Sequence, residues 1–142
     1  MKFKVLVLVA WLVMSCSQVP TIEDAQKLNG FWEIKKAETP YEEKEYEMNQ
    51  MVDYFEVEDS IGFRKKMQPS LLGNYQSSKN REAFKIRMNN DRLLLIYENQ
   101  YDRWTEELIS INQDEFVVKN DKGFIYTYKR HETSKVDLEN EE

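Results

Sequence analysis

A single cysteine, Cys16, and a single histidine, His131, stand among 142 residues that also hold only four glycines and three prolines. One cysteine cannot pair with itself, so no intramolecular disulfide staples this chain. With its one histidine close to the C-terminus, neither a Cys–His nor a Ser–His nucleophile pair is expected in the folded part. A transition-metal site would have to be built from carboxylates alone, and no loop has calcium-ligand spacing. Four glycines are too few for a phosphate-cradling loop. Cations are not in excess either: the net charge is −6, and no basic stripe is present to neutralise nucleic-acid phosphates or adhere to anionic lipid. No enzyme, metal or cofactor is expected. The longest apolar run, Val5 to Met14, has ten residues. As a helix it would reach about 15 Å, half of a hydrocarbon core of roughly 30 Å, and no second run follows.

That run is informative for what surrounds it. Lys2 and Lys4 precede it and Val13-Met14-Ser15-Cys16 ends it, the basic, apolar and small-residue order of a secretory signal. The stretch resembles the lipobox of bacterial lipoproteins, which implies cleavage before Cys16 and acylation of its thiol, with palmitate-type chains holding the protein to a membrane. A plain secretory signal without lipid is the competing reading. Residues 1–15 are then a signal peptide, and their loss takes away two lysines and no acid, bringing the net charge to −8. The expected place is the cell envelope, with the mature domain facing the periplasm or the outside. Residues 16–27 read as a tether, either a plain linker or one with a short helix that Thr21 and Asp24 cap. Residues 131–142 have almost nothing to bury and read as a disordered acidic tail.

Between these ends the pattern has period two. Phe84, Ile86 and Met88 alternate with Lys85 and Arg87, which is the signature of a half-buried strand. Nine such strands are expected, over Gly30–Lys36, Asp53–Val57, Ile61–Met67, Leu71–Ser77, Phe84–Met88, Arg92–Glu98, Arg103–Ile111, Glu115–Asn120 and Phe124–Arg130. Turn signals such as Asn89-Asn90-Asp91 and Asp121-Lys122-Gly123 separate them, and Glu38–Gln50 reads as a long acidic loop. Short strands joined by hairpins predict an all-β sandwich or barrel, and a barrel leaves no edge exposed. Gly62 and Gly73, inside strands, read as bulges or bent corners.

Leu28-Asn29-Gly30-Phe31-Trp32 opens the first strand, and this resembles the Gly-x-Trp start of the lipocalins and of smaller lipocalin-like domains. Residues 28–130 as a whole are similar to small lipocalin-like lipoproteins of the Bacteroidetes, with Tyr54-Phe55-Glu56, Gly62-Phe63-Arg64-Lys65-Lys66 and Trp104 to Ile109 in order. The resemblance implies a small up-and-down antiparallel β-barrel of eight or nine strands. It also implies that Gly30, Trp32 and Arg130 form its closed end, the arginine lying across the indole. The Thr-Asp-Tyr signature of the larger lipocalins is missing, and with it the expectation of a roomy cavity. An indole beneath a guanidinium gains about 1–2 kcal/mol of cation–π attraction when water is excluded, which is a structural role.

Phe55, Phe63, Tyr75, Phe84, Tyr97, Trp104, Tyr126 and Tyr128, with Ile86 and Leu95, are the residues expected to line the interior. So many rings predict a largely filled barrel with a shallow mouth. Adjacent Glu106 and Glu107 must point to opposite faces. Glu106 shares its face with Trp104 and Leu108, and Glu107 with Ile109 and Ile111. Whichever points inward needs a partner, for which Arg64, Lys66 and Arg87 are candidates. Arg64-Lys65-Lys66 would be an anion clamp only if alternation did not divide it. Leu93 to Tyr97 is apolar on both faces, so its outer face must be covered too. Two functions fit: binding of a small apolar or amphipathic molecule at the open end, or a filled barrel docking an envelope protein through its outer surface near Leu94 and Ile96.

Overall fold

The computed structural model describes residues 18–45, 51–69 and 75–132, the side chains of 69 and 75–80 excepted. The signal peptide, Cys16, Gly73, the side chain of Tyr75 and the tail beyond Glu132 lie outside the described residues. A 3-10 helix, Asp24–Leu28, is followed by β1 (Gly30–Glu38), β2 (Glu43–Glu45), β3 (Val52–Glu58), β4 (Ile61–Pro69) and β5 (Tyr75–Asn89). Then come β6 (Arg92–Glu98), β7 (Arg103–Ile111), β8 (Glu115–Asn120) and β9 (Ile125–Arg130).

All strands but β2 form an eight-stranded up-and-down antiparallel barrel: each pairs with the next, and β9 returns to β1. β2 is added beside the far end of β1, on the edge whose beginning pairs with β3. The strand count differs in its parts from the period-two reading. The separate strands Leu71–Ser77 and Phe84–Met88 are, where described, one long strand, β5. Its polar stretch shows no apolar alternation, but a backbone ladder does not require one. Conversely, the acidic loop Glu38–Gln50 contains β2, whose side chains are all exposed.

Hairpin chemistry fixes the register. Asn90 and Asp91 both have positive φ, at 49° and 60°, as the tight turn matching a strand pair's twist demands. In the three connections that follow it along the chain an asparagine side chain caps the turn. Oδ1 of Asn99 accepts from the amides of Tyr101 and Asp102, that of Asn112 from Asp114 and Glu115, and that of Asn120 from Lys122 and Phe124.

One end of the barrel is sealed. Trp32 is fully buried, its Nε1 donates to Leu28 O at 2.7 Å, and its ring meets Phe116 edge-on at 4.7 Å. Cζ of Arg130, the cross-strand partner of Trp32, lies 4.0 Å above the indole. The guanidinium donates to Gln113 O, Asn29 O and Lys27 O at 2.5, 2.9 and 2.9 Å. Gly30 has φ +122°, and a Cβ there would stand 2.7 Å from Nη1 of Arg130. Only glycine admits the clamp. The helix is a plug as much as a tether: Ala25 and Leu28 are fully buried. Thr21 and Asp24 exchange hydrogen bonds at its start, and Asn29 pairs with both N and O of Val57.

Two further details depart from the sequence reading. Gly62 is neither bulge nor corner: the ring of Phe84 occupies the place of its side chain, 2.6 Å from where Cβ would be. His131 does not begin a free tail, because its amide donates to Phe31 O and its Nδ1 lies 3.0 Å from Glu33.

Replacing Trp32 with alanine removes the buried indole from beneath Arg130. A loss of about 3–5 kcal/mol is expected in equilibrium urea unfolding, whereas an unchanged midpoint would deny the seal its role.

Candidate functional site

Alternation along the paired strands decides which side chains enter the barrel. Inward from the sealed end come Phe55, Phe84, Ile86, Leu93, Leu95, Leu108, Phe116 and Val118, all buried. Their rings interlock: Phe55 meets Phe116 and Tyr128 edge-on at 5.6 and 6.4 Å, and Phe116 stacks on Tyr128 at 4.5 Å. This lower half is filled. Tyr97 lies above it, fully buried and stacked on Trp104 at 5.0 Å with the planes 2° apart.

The upper half is different in kind. Arg64, inward on β4, donates from Nε and Nη2 to Oε2 of Glu82 at 2.7 and 2.6 Å. Its Nη1 reaches Oε1 of Glu106 only at 3.5 Å, and its Cζ sits 4.8 Å over the Tyr97 ring. Lys66 Nζ donates to Asp53, a buried carboxylate, at 3.1 Å. The hydroxyl of Tyr97 is buried with no hydrogen-bond partner among the described residues. Burial raises the Glu106 carboxyl above the usual glutamate range; Arg64 opposes this, while Glu82 and Asp53 add to it. A guanidinium committed to Glu82 compensates Glu106 incompletely.

Above this layer a cavity of about 590 Å³ opens to solvent. Ile34, Trp104, Tyr126 and Tyr128 line it with Arg64, Lys66 and Glu106, and the turns bearing Asp102 and Asp121 rim it. The sequence-predicted lining thus divides. Trp104, Tyr126 and Tyr128 face the cavity, while Phe55, Phe84, Tyr97, Ile86 and Leu95 are packed core beneath it. Tyr75 has no described side chain.

Phe63 is a correction. On β4 the inward positions are Gly62, Arg64 and Lys66, opposite Phe84, Glu82 and Asp53, so Phe63 is on the outer surface. There it packs on Tyr54, with Cζ of Arg81 3.7 Å over its ring. The filled interior expected from the ring count is corrected likewise, since its upper half holds charges and space. Alternation does divide Arg64-Lys65-Lys66, leaving Lys65 outside. Of the two glutamates Glu106 is the inward one, with Arg64 as its partner, and Glu107 pairs outside with Arg92 at 2.8 Å. Ile111 does not share the face of Glu107: a register shift between Leu108 and Ser110 turns it onto the core. Arg87 is exposed and borders a shallow outer groove of about 400 Å³ with Ile61, Phe63 and Ile96.

Asp53 and Glu82 were not singled out by sequence. The signal was there: each lies two residues from an inward phenylalanine, Phe55 or Phe84, and so shares its face.

The sequence matches no protein-family model and no curated protein significantly. Among solved structures the chain is similar to a lipocalin-like protein from Bacteroides uniformis. The identity is 7% and the TM-score 0.47, with 74% of this chain and 99% of that one covered. It is also similar to apocrustacyanin C1, at 11% identity and a TM-score of 0.46, covering 82% of this chain and 68% of that one. Lobster apocrustacyanin A1 is similar at 12% identity and a TM-score of 0.42, over 86% and 77% of the two chains.

Replacing Arg64 with methionine keeps an unbranched apolar stem but removes the guanidinium, which strands Glu82 and Glu106 without their cation. Removing one partner of a buried charge set costs about 3–5 kcal/mol, and chemical denaturation at neutral pH is expected to read a loss of that size. A loss under about 1 kcal/mol would mean that the carboxylates do not depend on Arg64.

Proposed function

We propose that this chain is a lipid-anchored barrel of the cell envelope that takes a small amphipathic molecule into the cavity at its open end. The observation carrying this reading is the contrast between the barrel's halves. The lower half is packed solid and closed by Trp32 and Arg130, while the upper half keeps about 590 Å³ open. Binding cavities combine apolar walls with a few placed polar groups, and here Trp104, Tyr126 and Tyr128 stand opposite Arg64, Lys66 and Glu106. No nucleophile, metal set or phosphate loop is suggested by the sequence, so the role is capture and not conversion.

The leader supports the anchor. Cys16 precedes the plug helix by eight residues, a reach of at most about 28 Å even when extended. An acyl chain on Cys16 therefore keeps the sealed foot near the bilayer and leaves the mouth towards the aqueous side. The outer groove beside Ile61 (60% exposed), Phe63 and Ile96 favours a second reading, in which this surface docks an envelope protein.

Cys16→Ser is expected to abolish palmitate labelling and move the protein from the membrane to the soluble fraction; retention of either would remove the anchor. Titration with dodecan-1-ol, followed by tryptophan fluorescence, should saturate at one molecule per chain. Trp104→Ala, read by calorimetry because it removes the reporting ring, is expected to weaken that binding at least tenfold. Absence of binding, together with envelope cross-links from a photoreactive residue at position 96, would favour the docking reading instead.

A further inference from the structure

The polar layer beneath the cavity is unbalanced. Its inward ionisable groups among the described residues are three carboxylates, Asp53, Glu82 and Glu106, and two cations, Arg64 and Lys66. The rim adds Asp102 and Asp121 against Arg103 and Lys122, which cancel. Pairing uses the cations on two of the acids: Lys66 holds Asp53 at 3.1 Å and Arg64 holds Glu82 at 2.6 Å. Glu106 is left with one contact at 3.5 Å, although it is only 8% exposed and lines the cavity. A carboxylate taken out of water needs a close cation or several donors, and a ligand in the cavity is the partner that geometry leaves for it.

We propose that the cavity selects a monocationic amphiphile, a primary or quaternary alkylammonium in chemical class, whose cationic group sits against Glu106. This rests on the open-end cavity being a ligand site, and it names the head group that site prefers. The rings of Trp104, Tyr126 and Tyr128 line the same space, and aromatic faces attract ammonium groups most where water is excluded. A single positive charge brings the described groups of the layer to neutrality. An anionic head would have to displace Glu82 from Arg64 or Asp53 from Lys66, and would then face Glu106. Proton uptake by Glu106 competes with the cation. The charged groups facing it are Arg64 on β4, Glu82 on β5 and Asp53 on β3; the phenols of Tyr97 on β6 and Tyr128 on β9 stay neutral.

The test uses the whole protein and three probes of equal chain length, dodecyltrimethylammonium, dodecan-1-ol and dodecanoate, each below its aggregation limit, in calorimetric titrations. At pH 7.5 the ammonium is expected to bind at least tenfold more tightly than either other probe. In Glu106→Gln its affinity falls to within threefold of the alcohol's. In the unaltered protein the ammonium's advantage shrinks on acidification at a pH above the ordinary glutamate range, because the raised carboxyl becomes neutral there. That measurement does not depend on the variant's folding. Equal affinities for ammonium and alcohol, tighter dodecanoate binding, or a preference that survives in Glu106→Gln would each overturn the assignment while leaving the cavity a ligand site. Failure of all three probes to bind would overturn the ligand site itself.

Discussion

The guanidinium of Arg130 is the constraint on which the rest of the molecule depends. It joins the last strand to the first, which lie about a hundred residues apart in sequence, and a barrel exists only if those two pair. Three carbonyl acceptors, one in the β7–β8 turn, one in the last turn of the helix and one in the link between helix and β1, hold the group in one plane. The indole of Trp32 supplies a surface under that plane. Planarity, a permanent charge and five donors make arginine suited to this; a lysine ammonium could not meet the same acceptors and also lie flat on a ring. Gly30 completes the device by having no side chain where Nη1 passes. The spacing Gly-x-Trp thus has a physical content: one residue leaves room for the clamp, and the residue two further along the same face lies beneath it.

Because the lower half is packed with buried apolar side chains, the polar groups that enter the barrel are confined to the other half. An eight-stranded barrel is just wide enough to be filled by its own side chains, so any interior charge must be paired within it or reach the mouth. Both solutions are present here. Arg64 and Glu82 form a close internal pair, whereas Lys66 extends its ammonium towards solvent from a stem beside Asp53. The hydroxyl of Tyr97, without a partner among the described residues, lies at the boundary between the two halves. The barrel changes from hydrocarbon to salt over a few residues of β3, β4, β5 and β7.

That gradient explains what the sequence disclosed and what it hid. Where the interior is apolar, hydrophobic alternation and inward direction coincide, and Phe55, Phe84, Leu95 and Tyr128 were legible as lining. On β4 the upper interior is charged, so the usual rule inverts: Arg64 and Lys66 point in and Phe63 points out, shielded by Arg81. No count of apolar residues along β4 alone yields this; it follows from the register with β3 and β5, where Glu82 and Asp53 await the cations. Ile111 was misread for a smaller reason. One extra residue in β7 exchanges the faces of the strand beyond it, and no glycine or proline marks the place. The foot was the most legible part, since its motif lies within five residues of chain and needs only one distant partner.

The unequal halves also bear on purpose. Packing continued to the rim with aromatic and aliphatic side chains would have made a more stable barrel, since well-packed hydrophobic groups commonly outperform buried ion pairs of similar volume. The lower half shows that this chain contains the rings to do so. Among the described residues the upper half instead keeps three carboxylates near two cations and leaves Trp104, Tyr126 and Tyr128 facing open volume. Such a layer lowers stability unless something completes it, and the group left least complete, Glu106, is the one that faces the opening. In the reading proposed above, that deficit is one half of an interaction whose other half arrives through the open end.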